Sequence, residues 1–423
     1  MGRLFKQVKS RRLLEKSFRK VREHAVASLS RSTRQALAEF EKDLFSSIDK
    51  LQKRLGKQDF QFSPQRGIAK RKANSSGYRP LVVAPFEDRI IQRAILEVLI
   101  TAVPAVRGVM STPTSIGGIP GRGVKSALEL VTDSIARGAR YYARSDIEGF
   151  FTKIPKSLVK DFLRAHVKDQ EFLRLFDGAL ETELENLDEL AEHRSLFPLG
   201  EDGVAQGSAL STLAGNIVLA EFDRVLNGRN ILCVRYVDDY ILLGPDEIRV
   251  KKAFESSQEL LRKFQMRAYS PWADEEKADH GPVASGFSFL GCDIKPSIKL
   301  IQPGRKARLK IIHDIQAIFA ETLKALAEAL SAGYPVDRRQ CYAQVMVRVN
   351  GMVSGWAHAF QFCNCISTFE SLDHEIDKAV SRFNREFKRL FEPASLRAIR
   401  RFLGVQLLQE VSSGIPIGDW PPR

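Results

Sequence analysis

The chain has 423 residues, 44% of them hydrophobic, with 65 Lys and Arg against 51 Asp and Glu and a formal charge of +14. This excludes disorder as a global description, leaves room for two or three lobes, and makes an anionic partner, nucleic acid first, the expected one. Cys233, Cys292, Cys341, Cys363 and Cys365 are odd in number and scattered in apolar context, so neither a disulfide framework nor paired zinc knuckles follow, and a reducing cytoplasm is expected. The longest apolar run, residues 94–106, is broken by Glu97 and Pro104; no signal core and no membrane insertion are expected.

Residues 1–24 carry nine Lys or Arg and two Glu, which reads as a basic arm or helix. Leu4, Phe5, Val8, Leu13, Leu14 and Phe18 recur at helical spacing, and a second helical pattern runs through Leu37, Phe40, Leu44, Ile48 and Leu51. Whether the first helix packs on the body or contacts RNA stays open. Residues 61–76 are polar and basic, with Arg66, Lys70, Arg71 and Lys72, before a strand over Tyr78 to Ala84. A stripe of Ile90, Ile91, Ala94, Ile95, Val98 and Leu99 predicts a helix over Phe86 to Ile100. Gly and Pro mark a loop over Thr112 to Gly123, followed by a helix to Arg137 and a strand over Ala139 to Arg144. Asp161 to Asp202 reads as helical and acidic, a solvated outer face. Strands over Ile231 to Tyr236 and Tyr240 to Leu243 flank Val237, Asp238 and Asp239, and a hairpin is expected over Phe287 to Ile294 and Leu300 to Gln302. From Arg305 to Leu403 the pattern is almost wholly helical, with breaks at Gly333 to Pro335, Gly351 and Gly355.

Asp238 and Asp239 sit at the tip of an apolar hairpin, where carboxylates repel each other and apolar surroundings penalise their charge. A cation should compensate. Carboxylate oxygens are hard ligands, and Mg²⁺ suits a few of them together with substrate phosphates. Holding two ions about 3.5–4 Å apart for displacement at phosphorus needs a further acid. Asp146, in Tyr141-Tyr-Ala-Arg-Ser-Asp-Ile-Glu-Gly-Phe-Phe151, is placed to supply it. Taken alone, an Asp-Asp pair is more often an ordinary solvated turn.

These motifs resemble the right-hand polymerase domain of reverse transcriptases, in particular bacterial ones related to group II intron enzymes. Asp146-Ile-Glu-Gly-Phe-Phe151 is similar to the first catalytic motif, and Tyr236-Val-Asp-Asp239 to the metal-binding hairpin. Ala205-Gln-Gly-Ser-Ala-Leu-Ser-Thr-Leu-Ala-Gly-Asn216 resembles the motif between them, and Ser288-Phe-Leu-Gly291 the primer grip. Gly77-Tyr-Arg-Pro-Leu81, Asp88-Arg-Ile-Ile-Gln92 and Pro120-Gly-Arg-Gly123 resemble fingers motifs.

The resemblance implies an α+β right-hand fold with fingers, a palm built on an antiparallel sheet and a helical thumb. It divides the chain into a basic helical extension (1–59), fingers and palm (60–302), and thumb with C-terminal tail (303–423). Asp146 and Asp238 would hold two Mg²⁺ ions, with Mn²⁺ as a substitute, aided by the Ile147 carbonyl; Asp239 would be the less direct third carboxylate. Phe151 would block a ribose 2′-hydroxyl, Gln206 and Gly207 would lie by the nascent base pair, and Arg79 with Lys70 or Lys72 would grip the dNTP triphosphate. Lys277 stands where the family often keeps a lysine that protonates pyrophosphate. Arg382, Arg385, Lys388 and Arg389 would face the duplex.

The chain departs from mobile intron enzymes in replacing both prolines of the middle motif by Ala205 and Thr212, and no endonuclease segment is expected after the thumb. The resemblance that remains is to free-standing, unknown-group enzymes of antiphage defence, some of which copy a partner non-coding RNA. The expected function is therefore RNA-directed DNA synthesis from a structured RNA, with cDNA as product. Competing readings are an RNA-templated RNA polymerase, disfavoured by Phe151, and a non-catalytic RNA-binding or maturase-type splicing factor. Oligomeric state is not legible.

Overall fold

The computed structural model describes residues 2–26, 28, 30–57, 60–72, 77–228, 230–273, 276–332, 338–392, 394–405 and 408. It divides into two compact units, residues 1–283 and 284–423. The boundary expected at 302/303 followed composition, whereas this one follows packing.

In the first unit, α1 (Arg3–Val8) and α2 (Arg11–Val26) bury Phe5, Val8, Leu14, Phe18 and Val21. The second helical pattern is split into α3 (Arg31–Lys42) and α4 (Leu44–Gly56), because the Asp43 carboxylate accepts from the Ser46 N–H and starts a new helix. Leu44, expected in the apolar stripe, is left exposed by that break. The polar stretch after residue 60 contains an unforeseen strand, β1 (Arg66–Arg71), antiparallel to β2 (Tyr78–Val83). Its signal was hidden because only Gly67 on it is buried. Residues 73–76 lie outside the described residues.

Helix α5 (Phe86–Ala102) buries the predicted stripe entirely. Phe18 and Phe40 stack at 5.4 Å beside Phe86, so the N-terminal helices pack on α5. Then follow α6 (Pro104–Met110), α7 (Val124–Ala136) and β3 (Tyr141–Asp146). The acidic stretch is not one helical run: α8 (Lys156–His166) and α9 (Gln170–Leu180) are followed by one turn, α10 (Leu187–Leu190). Nor is it wholly solvated, since Glu181 pairs with Lys160 and with the buried Lys156 at 2.6 and 3.0 Å.

After α11 (Ser211–Val218) and α12 (Ala220–Leu226) comes the hairpin of β4 (Leu232–Tyr236) and β5 (Asp239–Gly244), then α13 (Glu247–Arg262). A further unforeseen strand, β6 (Asp279–Pro282), completes an antiparallel sheet ordered β4-β5-β3-β6. Its sequence, Asp-His-Gly-Pro, has no strand propensity, and pairing with β3 makes it extended.

In the second unit the expected hairpin is a three-stranded meander of β7 (Phe287–Phe289), β8 (Cys292–Lys295) and β9 (Leu300–Pro303). Helices α14 (Arg305–Ala332), α15 (Tyr342–Phe360), α16 (Ile366–Phe391) and α17 (Leu396–Phe402) share a core of Ile315, Phe319, Val345, Phe383 and Phe387. The expected breaks at Gly351 and Gly355 are absent because both glycines lie inside α15, where no close neighbour obstructs them; the break at 333–335 lies outside the described residues. Arg382, Arg385, Lys388 and Arg389 occupy the exposed face of α16. All five cysteines are free and buried, and Cys363 hydrogen-bonds Cys292. No described helix is long and apolar enough to cross a membrane.

Candidate active site

The sheet brings the three acids together. In register, Asp146 at the end of β3 lies opposite Asp239 at the start of β5, and Tyr236 opposite Asp239 closes a two-residue loop made of Val237 and Asp238. The Ile147 N–H donates to the Asp238 carbonyl at 3.1 Å, and the Tyr269 N–H to the Asp146 carbonyl at 3.2 Å. Asp146 and the residues that follow it are thus stitched to the hairpin and to the 267–269 segment.

Like charges opposite each other in a sheet are unfavourable. Burial pushes Asp238 up to about 7, and the carboxylates of Asp146 and Asp239 push in the same direction. Asp239 keeps exposed surface and moves less, to about 6, through partial desolvation and then Asp146, with Lys277 and Arg144 opposing. The ammonium of Lys277 donates to Asp146 Oδ2. Partial burial works against that ammonium, but Asp146 outweighs it and holds Lys277 above the usual lysine range.

Among the described residues no three acidic, His or Cys side chains converge into a ready-made metal cage. The donor set nevertheless fits a hard divalent cation: oxygen ligands, mutual repulsion that a cation would relieve, and a lysine already drawn to the charge. Mg²⁺ characteristically takes one or two carboxylates and completes its shell with water and phosphate.

Beyond Asp146 the chain turns at Gly149, in the left-handed region with φ +62°, into the Phe150–Thr152 turn. Phe150 is the core aromatic, packed so closely on Gly215 that a Cβ there would lie 2.7 Å from its ring. Phe151 is half-buried and tilted against Phe150 at 5.4 Å. Its carbonyl accepts from the Val204 N–H at 2.7 Å, and the Gln206 carbonyl accepts from Val82 at 2.9 Å. A hydrogen-bonded relay thus joins β2, the 204–207 loop and the turn after Asp146. Gly207, at φ +128°, leaves no room for a Cβ because the Val82 carbonyl would be 2.6 Å away; the close approach that demands glycine is to β2 of this chain.

Lys70 and Arg79 are cross-strand partners on the β1–β2 hairpin and, like Lys72, are exposed. Neither Arg79 nor Lys72 contacts Asp146, Asp238 or Asp239 among the described residues. One site residue escaped the sequence reading altogether. Arg235 is fully buried between the apolar residues of β4, paired with Asp223. A lone cation within an apolar strand was the available signal.

Residues 68–294 match the reverse transcriptase (RNA-dependent DNA polymerase) family. The chain belongs to this family. Its mixed helical and antiparallel architecture is that of the right-hand polymerases. Homologues of the chain include intron-encoded proteins. It is 31% identical over 179 residues to an uncharacterized 91 kDa protein in the cob intron of Schizosaccharomyces pombe, covering 42% of this chain and 21% of that one. It is 29% identical over 161 residues to the group II intron-encoded protein LtrA of Lactococcus lactis subsp. cremoris, covering 38% and 25%. Its matches thus span about a quarter or less of the length of these two relatives. Among solved structures, telomerase from Candida albicans in complex with a telomeric RNA fragment aligns with TM-score 0.41 and 11% identity, over 82% of this chain and 62% of that one.

Proposed function

We propose that the protein is an RNA-directed DNA polymerase that extends a primer along an RNA template by metal-assisted nucleotidyl transfer. The observation that carries this reading is the pairing of Asp146 with Asp239, with Asp238 in the adjoining turn, in a chain of the reverse transcriptase family. Asp146 and Asp238, with the Ile147 carbonyl, would hold Mg²⁺, and Asp239 would support them. When bound, the metal would lower the charge cost of attack by a primer 3′-oxygen on the α-phosphorus as the bond to pyrophosphate breaks. Phe151 is the sugar gate, Gln206 and Gly207 border the nascent pair, and Arg79 with Lys72 holds the triphosphate. The segments 60–302 and 303–423 act as fingers with palm, and thumb. We assign the template to a structured non-coding RNA and the setting to bacterial antiphage defence, in the cytoplasm. The support for these assignments is the basic balance and the departures of Ala205 and Thr212 from mobile intron enzymes.

The test is primer extension on an RNA template with dNTPs and Mg²⁺. Asp146→Ala and Asp238→Ala should abolish synthesis with the fold retained, since a single preorganised contact is worth about 10²–10³ in rate and a metal ligand more. Near-normal extension by either variant would remove the catalytic assignment of that residue, whereas no extension by the wild type would favour a non-catalytic, maturase-type splicing factor. Sequencing RNA and DNA that co-purify from the native host tests the template assignment.

A further inference from the structure

Arg235 has no exposed surface, and a guanidinium keeps its charge wherever it is placed. Its Nε and Nη2 donate to the two oxygens of Asp223, itself buried, at 2.7 and 2.5 Å. Nη2 also reaches Ser115 Oγ at 2.8 Å and Asn216 Oδ1 at 3.1 Å. The main chain is held as firmly: the Arg235 N–H donates to Thr114 at 2.9 Å, and its carbonyl accepts from Ile116 at 2.8 Å. The remaining arm points elsewhere. Nη1 donates to the carbonyl of Val237 at 2.8 Å.

Val237 is the first residue of the two-residue loop that carries Asp238, and its φ is +63°. Two-residue hairpin loops with this conformation at the first position ordinarily place glycine there. A β-branched residue in the left-handed region persists only where its surroundings over-determine it. The 114–117 segment and Arg235 are those surroundings: a Cβ at Gly117 would lie 2.4 Å from the Val237 nitrogen. A buried ion pair is by itself a poor source of stability, since apolar residues of similar volume often serve as well. The contact to Val237 gives this one a purpose.

We infer that Arg235 is a positioning residue: anchored by Asp223, Asn216 and Ser115, it holds the Val237 carbonyl and so fixes the turn from which the Asp238 carboxylate presents itself to a metal ion. The inference rests on the polymerase reading of the site.

Two variants separate positioning from packing. Arg235→Lys keeps a cation for Asp223 but cannot also reach Val237. Arg235→Met combined with Asp223→Leu replaces the pair by apolar volume. Three quantities are measured on the full chain: thermal melting without metal, Mn²⁺ binding by electron paramagnetic resonance without template or nucleotide, and kcat and KM for dTTP on oligo(dT)-primed poly(rA). At least one variant should melt cooperatively near the wild type, bind Mn²⁺ about 10-fold more weakly, and lose about 10²-fold in kcat with KM within about twofold, as expected of a misplaced reacting group. Wild-type Mn²⁺ affinity and kcat in a folded variant would overturn the inference. So would loss of cooperative melting in both, because Arg235 would then hold the fold and not the turn. If the wild type makes no DNA at all, the polymerase reading fails, while the Mn²⁺ comparison still decides whether Arg235 positions Asp238.

Discussion

The ammonium of Lys277 lies against the Oδ2 of Asp146, so a cation of the protein itself already occupies the side of the carboxylate cluster. Lys277→Met removes that compensation. The variant should melt lower than the wild type in chelator, by about 1 kcal/mol for a partly exposed pair. Added Mg²⁺ should raise its melting temperature by more than it raises the wild type's, because no ammonium has to yield. Equal Mg²⁺ responses in the two proteins would mean that Lys277 and the metal do not share the Asp146 carboxylate.

Phe150 and Phe151 divide the roles that adjacent aromatics could play: the first is core, the second half-buried. Phe151→Ala should therefore leave thermal stability largely intact while raising ribonucleotide over deoxynucleotide incorporation by about 10-fold or more, the scale of discrimination by shape in an apolar pocket. Competition between rATP and dATP in primer extension reads the ratio. An unchanged ratio with a lowered melting temperature would assign Phe151 to packing.

Asp88 on α5 is buried and accepts from the Ser63 N–H at 2.8 Å. Burial nevertheless raises it to about 6, above the ordinary 3.8. Between these values the folded protein keeps a proton that the unfolded chain has lost, so stability falls as pH rises from about 4 to about 6. Asp88→Asn removes this contribution. Relative to the wild type it should gain up to about 3 kcal/mol at pH 7 and nothing at pH 3.5. Chemical denaturation at both pH values checks the sign, and a variant less stable at pH 7 than at pH 3.5, relative to the wild type, would contradict it.

The N-terminal helices pack on α5 through Phe5, Leu14 and Phe18, while Arg12 and Arg19 stay exposed. Lys16 and Arg22 are taken up by Glu97 and Glu41, at 2.7 and 2.6 Å. Phe18→Ala should cost about 3–5 kcal/mol without altering the salt dependence of RNA binding. The double variant Arg12→Ala with Arg19→Ala should leave melting unchanged and reduce the slope of log affinity against log salt by about 0.7 per cation that reaches a phosphate of a single strand. An unchanged slope would make this segment a packing element alone.

The sequence by itself determined the elements whose periodicity is strong and local. The stripe of α5 and the helices after Arg305 were legible because apolar residues recur at helical spacing along them, and the hairpin around Asp238 because its two strands are short continuous apolar runs. Asp238 and Asp239 drew attention as adjacent carboxylates in an apolar run, but singling them out with Asp146 as the candidate acids rested on the resemblance of their motifs to those of reverse transcriptases. Where a strand owes its shape to its neighbour, the pattern is silent: β1 is mostly exposed and β6 is Asp-His-Gly-Pro. Tertiary structure alone decided that Asp146 lies opposite Asp239, since register depends on pairing between segments nearly a hundred residues apart. It also decided that Gly207 is required by β2, and that Phe150 and not Phe151 fills the core. Arg235 illustrates the limit best. As a letter within Leu-Cys-Val-Arg-Tyr it is an anomaly, and it becomes intelligible only when folding delivers Asp223, Asn216 and Ser115 to one side of it and the Val237 carbonyl to the other. A buried charge is stable only among partners that the chain supplies from distant positions, and no local pattern records where those partners will be.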